Sequence, residues 1–369
     1  MDAHELTRLR QKYQDAKGDD IFDPAFKQAA ASLFHGRGQR KLPYAGITTF
    51  LDAPYQEELI GLDMALVGVP MDLGVTNRPG ARFGPRAVRE IERVGPYNHQ
   101  LRLAPCTVSR IADVGDVPFR SRFSLEKSIE DIAAFYHKVC DAGVMPLSVG
   151  GDHSITYPIL TALGRDVPVG LVHIDAHCDT SGEYDLSKFH HGGPFRLAVL
   201  DGVLDPTRTI QIGIRGSAEL LWEFSYDAGM TVMHIEDFMR MGVDAVVEQA
   251  RAVVGTGPVY ISFDVDGLDP AYAPGTGTPE VGGLTPREAQ QVLRGLEGLN
   301  IIGGDVVEIA PQYDPTSNTA HVGAQMLFEI LCLMTRPTQA EVSGNTGEST
   351  RGEAEVAALK VDPRHRETV

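Results

Sequence analysis

Cysteine is scarce: only Cys106, Cys140, Cys178 and Cys332 occur in 369 residues, and no two form a CxxC pair. That scatter excludes a thiolate zinc cluster and a disulfide framework. A reducing, cytoplasmic setting is the expectation. Positive charge is also short, with 33 Lys and Arg against 50 Asp and Glu, a formal net charge of -17. Binding a phosphate backbone needs clustered Lys and Arg, so no nucleic-acid partner is expected. No apolar run is long enough to cross a bilayer, and no membrane partner is expected either. The start MDAHELTRLRQKYQDAKGDD lacks the apolar stretch of a secretory signal. No clear linker divides the middle of the chain, which favours one large α/β domain over two.

What is present is a hydrophobic content of 43%, ample for a packed core. Residues 1–42 read as an N-terminal extension, ending in the basic loop Gly36-Arg37-Gly38-Gln39-Arg40-Lys41. Within it Phe22, Phe26, Ala29, Ala30 and Phe34 fit one helical face. Residues 43–336 form the expected catalytic domain. Residues 337–369 are polar, with few large apolar side chains, and are expected to be a disordered tail.

Short β-rich runs recur at 65–69, 146–149, 169–174, 210–214, 231–235, 259–263 and 304–309. Several are apolar without alternation, as strands covered on both faces should be. Between them lie helical patterns. One runs from Ser124 to Ala142, with Ser124 as N-cap, Gly143 just past its end, and Ile129, Ile132, Ala133, Tyr136 and Cys140 on one face. Another starts at Thr285-Pro286-Arg287-Glu288, a capping box with proline at the first helical position. This alternation predicts a three-layer α/β/α sandwich around a mainly parallel sheet. Ligands of such sheets sit at the carboxyl ends of the strands.

Three of those ends carry chemistry: Gly150-Gly151-Asp152-His153-Ser154, His173-Ile174-Asp175-Ala176-His177-Cys178-Asp179 and Phe263-Asp264-Val265-Asp266. Each fragment alone is weak evidence, since an Asp after a strand often closes an Asx turn. Together they place carboxylates at three buried strand ends, where each costs several kcal/mol unless paired or metal-bound. His153, Asp175, His177, Asp179, Asp264 and Asp266 therefore read as metal ligands. Four carboxylates and two imidazoles suit Mn²⁺, with Ni²⁺ as the main alternative, better than a structural zinc. Six ligands, with carboxylates able to bridge, suit two divalent ions better than one.

GGDHS at 150–154, HIDAHCDT at 173–180 and SFDVDGLDP at 262–270 resemble the three signatures of the ureohydrolase family, which includes arginases and agmatinases. The likeness runs from RPGARFGPRAVR at 78–89 to EIAPQYDP at 308–315. RPGARFGP, with PYAGITTFLDAPY at 43–55, resembles the agmatinase-like branch. The resemblance implies an arginase-like fold, a homo-trimer or homo-hexamer, and hydrolysis of a small guanidino substrate to urea, or a urea derivative, plus an amine. It places His153 and Asp179 on one metal, His177 and Asp266 on the other, and Asp175 and Asp264 between them. It implies Glu308 as the acid that accepts the guanidinium and His191 as a proton shuttle, with His190 one residue away. Asp179 is suited to take the proton released when water attacks the guanidinium carbon. Asp152 and His173 read as supporting groups, Asp269 and Glu280 as structural, Cys178 as packing, and Gly275–Pro279 as a pocket-shaping loop.

Cys178, His321 and the extension depart from the agmatinase-like pattern and leave the substrate open. The extension and the His321 region resemble guanidine hydrolases and metformin hydrolase subunits. That alternative brings dimethylbiguanide or guanidine as substrate and a hetero-oligomer with a homologous chain. A low-activity subunit scaffolding an active paralogue, and a one-zinc amide deacetylase, are the further alternatives; the intact ligand set weighs against the first.

Overall fold

The computed structural model describes residues 1–18, 20–33, 42, 44–92 and 94–335. Two compact units part between Ile47 and Thr48. In the first, helices α1 (Ala3–Tyr13) and α2 (Pro24–Ala29) are described. The Asp23 carboxylate accepts the Ala25 and Phe26 amides, and Pro24 opens the helix. Phe22 therefore precedes α2, and a 3₁₀ turn takes over at Ala30. Of the single helical face expected to include Phe22, Phe26, Ala29, Ala30 and Phe34, the described part is broken twice: the Asx cap starts the helix after Phe22, and a 3₁₀ turn replaces it from Ala30. Phe34, the basic loop and the tail from 337 lie outside the described residues.

The second unit holds strands β1 (Met64–Val69), β2 (Ile111–Asp116), β3 (Met145–Gly150), β4 (Val169–Ile174), β5 (Leu204–Ile214), β6 (Thr231–His234), β7 (Val259–Asp264) and β8 (Ile301–Val307). They form one sheet in the order β2-β1-β3-β8-β7-β4-β5-β6. Every neighbouring pair is parallel. The helices are α3 (Gly84–Arg89), α4 (Leu125–Asp141), α5 (Thr156–Leu163), α6 (Pro194–Leu200), α7 (Glu223–Asp227), α8 (Ile235–Met241), α9 (Val243–Val254), α10 (Pro286–Gly295) and α11 (Asn318–Met334). Among the described residues no helix is long and apolar enough to cross a membrane.

Successive strand residues face opposite sides, and two cores result. Leu66, Leu147, Val172, Ile212, Ile261 and Val306 pack with α3 and α8 to α11. Ala65, Val67, Leu171, Tyr260 and Val307 pack with α4, α5 and α6. A sheet covered on both faces is the predicted α/β/α sandwich. The cap at Ser124 and the capping box at Thr285 both form. The strand at 111–116 went unpredicted: it is an edge strand whose apolar run is broken by Asp113, Gly115 and Asp116. β8 was expected to reach Ile309 but ends at Val307, because Glu308 turns into the left-handed region at φ 63°.

Candidate metal centre

The four central strands, β3, β8, β7 and β4, all release their chains at one edge of the sheet, and each leads directly into site residues. After β3, the Asp152 carboxylate caps a 3₁₀ turn by accepting the Ser154 amide at 2.9 Å, which folds His153 back over the sheet. After β4, Asp175 Oδ1 accepts the His177 amide at 2.6 Å. After β7, Asp264 Oδ1 accepts the Asp266 amide at 2.8 Å, and Asp266 Oδ1 takes the Ala176 amide at 3.1 Å. Asp264 thus spends Oδ1 on its own turn and keeps Oδ2 for the site. Asp179, at φ 52°, and Glu308 hold positive φ. For L-residues that conformation costs roughly 1–2 kcal/mol each, and such strain gathers at functional sites.

The six residues converge. His153 Nδ1 lies 2.9 Å from Asp179 Oδ2, 3.2 Å from Asp175 Oδ2 and 3.3 Å from Asp264 Oδ2. His177 Nδ1 lies 3.2 Å from Asp266 Oδ2 and 3.4 Å from Asp175 Oδ1. Asp175 therefore offers one oxygen to each histidine. Two donor groups result, one of His153, His173, Asp175 and Asp179, the other of Asp175, His177 and Asp266. Asp264 stands beside the first group through Oδ2. The donor set fits divalent cations: His153 Nδ1 is buried without a hydrogen-bond partner. Among the described residues no Lys or Arg pairs with any of the four carboxylates.

The electrostatics carry the same message. Burial, then the charges of Asp266 and Asp175, push Asp264 well above the ordinary carboxylate range. Burial and the Asp175 charge raise Asp266 to about 6. Burial would raise Asp175 too, but His173, His153 and His177 outweigh it and hold it well below its usual value. Burial likewise opposes charge on His153, yet the close carboxylates of Asp175, Asp179 and Asp264 lift it well above a normal histidine. A cluster this crowded with like charge takes up protons unless cations neutralise it.

Beside the cluster, Glu308 Oε1 accepts the His153 amide and faces His191 Nδ1, each at 2.9 Å. Oε2 is buried and unpartnered. His191 Nε2 faces Thr76 at both its amide, 3.1 Å, and its hydroxyl, 2.7 Å. The neutral ring can accept from the amide, and the charged ring can donate to the hydroxyl, so both states are met. Burial lowers the His191 pKa, but Glu308 more than offsets it and brings it to about 9. His190 instead meets the Gly182 carbonyl at 2.7 Å. His191, not His190, stands with Glu308. A cavity of about 360 Å³ opens onto Asp264, Asp266, His177, Asp179 and His191, walled by Thr76, Tyr184, Leu221, Trp222 and Thr278.

Asp152 holds the Gly74 amide at 2.8 Å, and His173 Nε2 sits 2.7 Å from Asp175 Oδ2. Asp269 holds the Ala271 and Gly282 amides. Glu280 contributes its carbonyl to Arg215. Cys178 packs in a buried group with Ile214 and Trp222, and His321 is exposed. In the loop at 275–279, Thr276 and Gly277 carbonyls accept from Arg78, and Thr278 Oγ1 donates to Asp266 at 3.2 Å. In the RPGARFGP segment, a Cβ at Gly84 would lie 2.7 Å from the Gly150 carbonyl and 2.8 Å from that of Ile309, so only glycine fits where α3 crosses β3 and β8. Sequence reasoning missed Thr76, Arg215, Ser262 and Asp305. For Ser262 and Asp305 a signal existed: polar side chains inside fully buried strands need partners.

A parallel sheet carrying this His/Asp centre, with a buried carboxylate beside it, defines a ureohydrolase, an amidinohydrolase class built on a binuclear divalent metal centre. Comparison with known proteins agrees. Residues 62–333 match the arginase family model. A guanidinopropionase of Pseudomonas aeruginosa is 50% identical over 295 residues, 79% of this chain and 92% of that protein. A mitochondrial agmatinase of Gallus gallus is 50% identical over 293 residues, 78% and 86% of the two chains. Among solved structures, the proclavaminate amidino hydrolase of Streptomyces clavuligerus superposes with a TM-score of 0.76 at 34% identity, covering 80% of this chain and 99% of that one. The chain belongs to the arginase family.

Proposed function

We propose that this chain hydrolyses a C–N bond of a small guanidino compound, releasing urea or a substituted urea and an amine. His153 and Asp179 hold one divalent ion, His177 and Asp266 the other, and Asp175 and Asp264 lie between them. Mn²⁺ is the first choice and Ni²⁺ the alternative, as an oxygen-rich donor set with two imidazoles suits. Two such cations supply the charge that lowers the pKa of water toward ~7, giving a nucleophile for an otherwise unreactive guanidinium carbon.

The protein groups do the rest. Glu308 Oε2, buried and unpartnered, receives guanidinium N–H groups; this is the observation that carries the reading, since a buried carboxylate oxygen without a donor is costly. Holding the substrate there sets its carbon over the His/Asp cluster. Asp179 takes the proton that water loses. His191, cationic below about 9, gives a proton to the leaving amine, and Thr76 steadies the ring in either state. The two donor groups favour two metals over the single zinc of a deacetylase.

The cavity limits the rest of the substrate. Among its described lining residues there is no Lys or Arg, while Glu183 is present. Arg78 spends its charge on carbonyls, and Arg196 stacks over Phe224. A neutral or cationic tail fits this wall better than a carboxylate. The homo-trimer or homo-hexamer, or a hetero-oligomer with a homologous chain, remains the expected assembly. The test is a turnover screen of agmatine, guanidinobutyrate, guanidinopropionate, arginine, guanidine and dimethylbiguanide, with Mn²⁺ and with Ni²⁺. Release of urea from agmatine or guanidine, or of a substituted urea with its amine from dimethylbiguanide, is expected. Faster turnover of the guanidino acids overturns the tail assignment, and no turnover of any compound overturns the activity.

A further inference from the structure

Behind the metal centre lies a buried polar chain that the reaction itself does not use. Asp305, in the middle of β8, is fully buried and forms no ion pair with Lys or Arg among the described residues. Three hydroxyls satisfy it instead. Thr156 and Tyr260 donate to Oδ2 at 2.7 and 2.8 Å, and Ser262 donates to Oδ1 at 2.7 Å. Ser262 Oγ also lies 2.8 Å from His153 Nε2. Every member of the chain has no exposed surface.

The proton count fixes the direction of each bond. A carboxylate accepts only. Ser262 must therefore spend its single proton on Asp305, and it can only accept from His153. That requires a proton on His153 Nε2. The other ring nitrogen, Nδ1, is the one aimed at Asp175, Asp179 and Asp264.

We infer that Asp305, acting through Ser262, is a positioning device for His153: it holds the proton on Nε2 and so keeps the Nδ1 lone pair directed at the metal. The inference rests on the metal-centre reading above. Register supports it, because Ser262 on β7 pairs with Asp305 on β8 within the sheet, so the relay is set by strand pairing and not by a loop. Tyr260 and Thr156 share the same carboxylate but do not touch His153, and they provide the internal control.

The experiment measures Mn²⁺ affinity and stoichiometry of the full chain by competition with a chelator. It uses the wild type, Ser262→Ala, Ser262→Thr and Tyr260→Phe, with thermal unfolding recorded for each. Losing such an outer partner weakens metal binding roughly 10–100-fold. Ser262→Ala should show that loss at one of two sites, Ser262→Thr should restore most of it, and Tyr260→Phe should stay within about threefold of wild type. Equal weakening by Tyr260→Phe, or none by Ser262→Ala, overturns the relay. Wild type taking up no divalent ion overturns the metal centre and this inference together. If Ser262→Ala does not fold, ¹⁵N spectra of the Zn²⁺-loaded wild type decide. A His153 Nε2 that carries a hydrogen-bonded proton supports the relay, and an unprotonated one overturns it.

Discussion

Replacing Glu308 with glutamine tests the guanidinium assignment with little steric change. Glutamine can keep the acceptor that serves the His153 amide and His191 Nδ1. The other terminus, now unpartnered and buried, becomes an NH₂ group. It would face guanidinium N–H donors with donors of its own. Removing one member of a buried, hydrogen-bonded charge pair costs about 2–5 kcal/mol. At ~3 kcal/mol, kcat/KM should fall roughly 150-fold. A second effect accompanies it. The carboxylate is what raises His191 to about 9, so in Glu308→Gln its pKa should drop toward the usual histidine range, and loss of activity with rising pH should begin earlier. The assay is kcat/KM from pH 6 to 10, with metal content measured on the same samples. Two bound metals with kcat/KM within threefold of wild type at every pH would refute the reasoning.

Three further outcomes are expected. Asp264→Ala should lower metal content at both sites, since the residue is assigned between them; two tightly bound ions surviving in elemental analysis would remove that assignment. In metal-free protein, His191 has a folded pKa of about 9, raised above its unfolded value of ~6.5. Its stabilisation, on the order of 3 kcal/mol, is therefore complete below ~6.5 and lost as pH rises through about 9. Denaturant titrations at pH 6 and pH 9.5 should show that difference shrink in His191→Gln, and an unchanged difference contradicts it. Arg294→Met should destabilise by about 3 kcal/mol, because it strips the cation from fully buried Glu329; chemical denaturation measures it, and a change below about 1 kcal/mol would show that the side-chain amides of Asn98, Gln290 and Gln325, which also donate to Glu329, suffice.

Much of this was legible beforehand because the signals were local. Unbroken apolar runs marked the buried strands, and Ser124 and Thr285 marked helix starts. Three strand ends rich in His and Asp marked the six converging residues. What escaped reading depended on tertiary placement. The edge strand at 111–116 carries acids that solvent and Arg89 satisfy, so its pattern is diluted. The early end of β8 follows from the backbone turn at Glu308, which no side-chain pattern announces. Thr76 reaches His191 across 115 positions of chain. Ser262 and Asp305 looked like isolated polar residues until sheet register set them side by side. His190 and His191 are equivalent in sequence, and only the fold distinguishes them.

The order of the strands also says when this centre can exist. β1 to β3 form one block of the sheet and β4 to β7 another, and β8 alone lies between them, bonded to β3 on one side and β7 on the other. His153 belongs to the first block; the carboxylates around it belong to the second. During synthesis both blocks leave the ribosome before the strand that joins them. The group of Asp175, His177 and Asp266 lies within the second block alone, but the group around His153 cannot close until residues 301–307 arrive. The last strand is thus a keystone for the His153 group, and filling of that half of the centre would report that the chain has been made through β8.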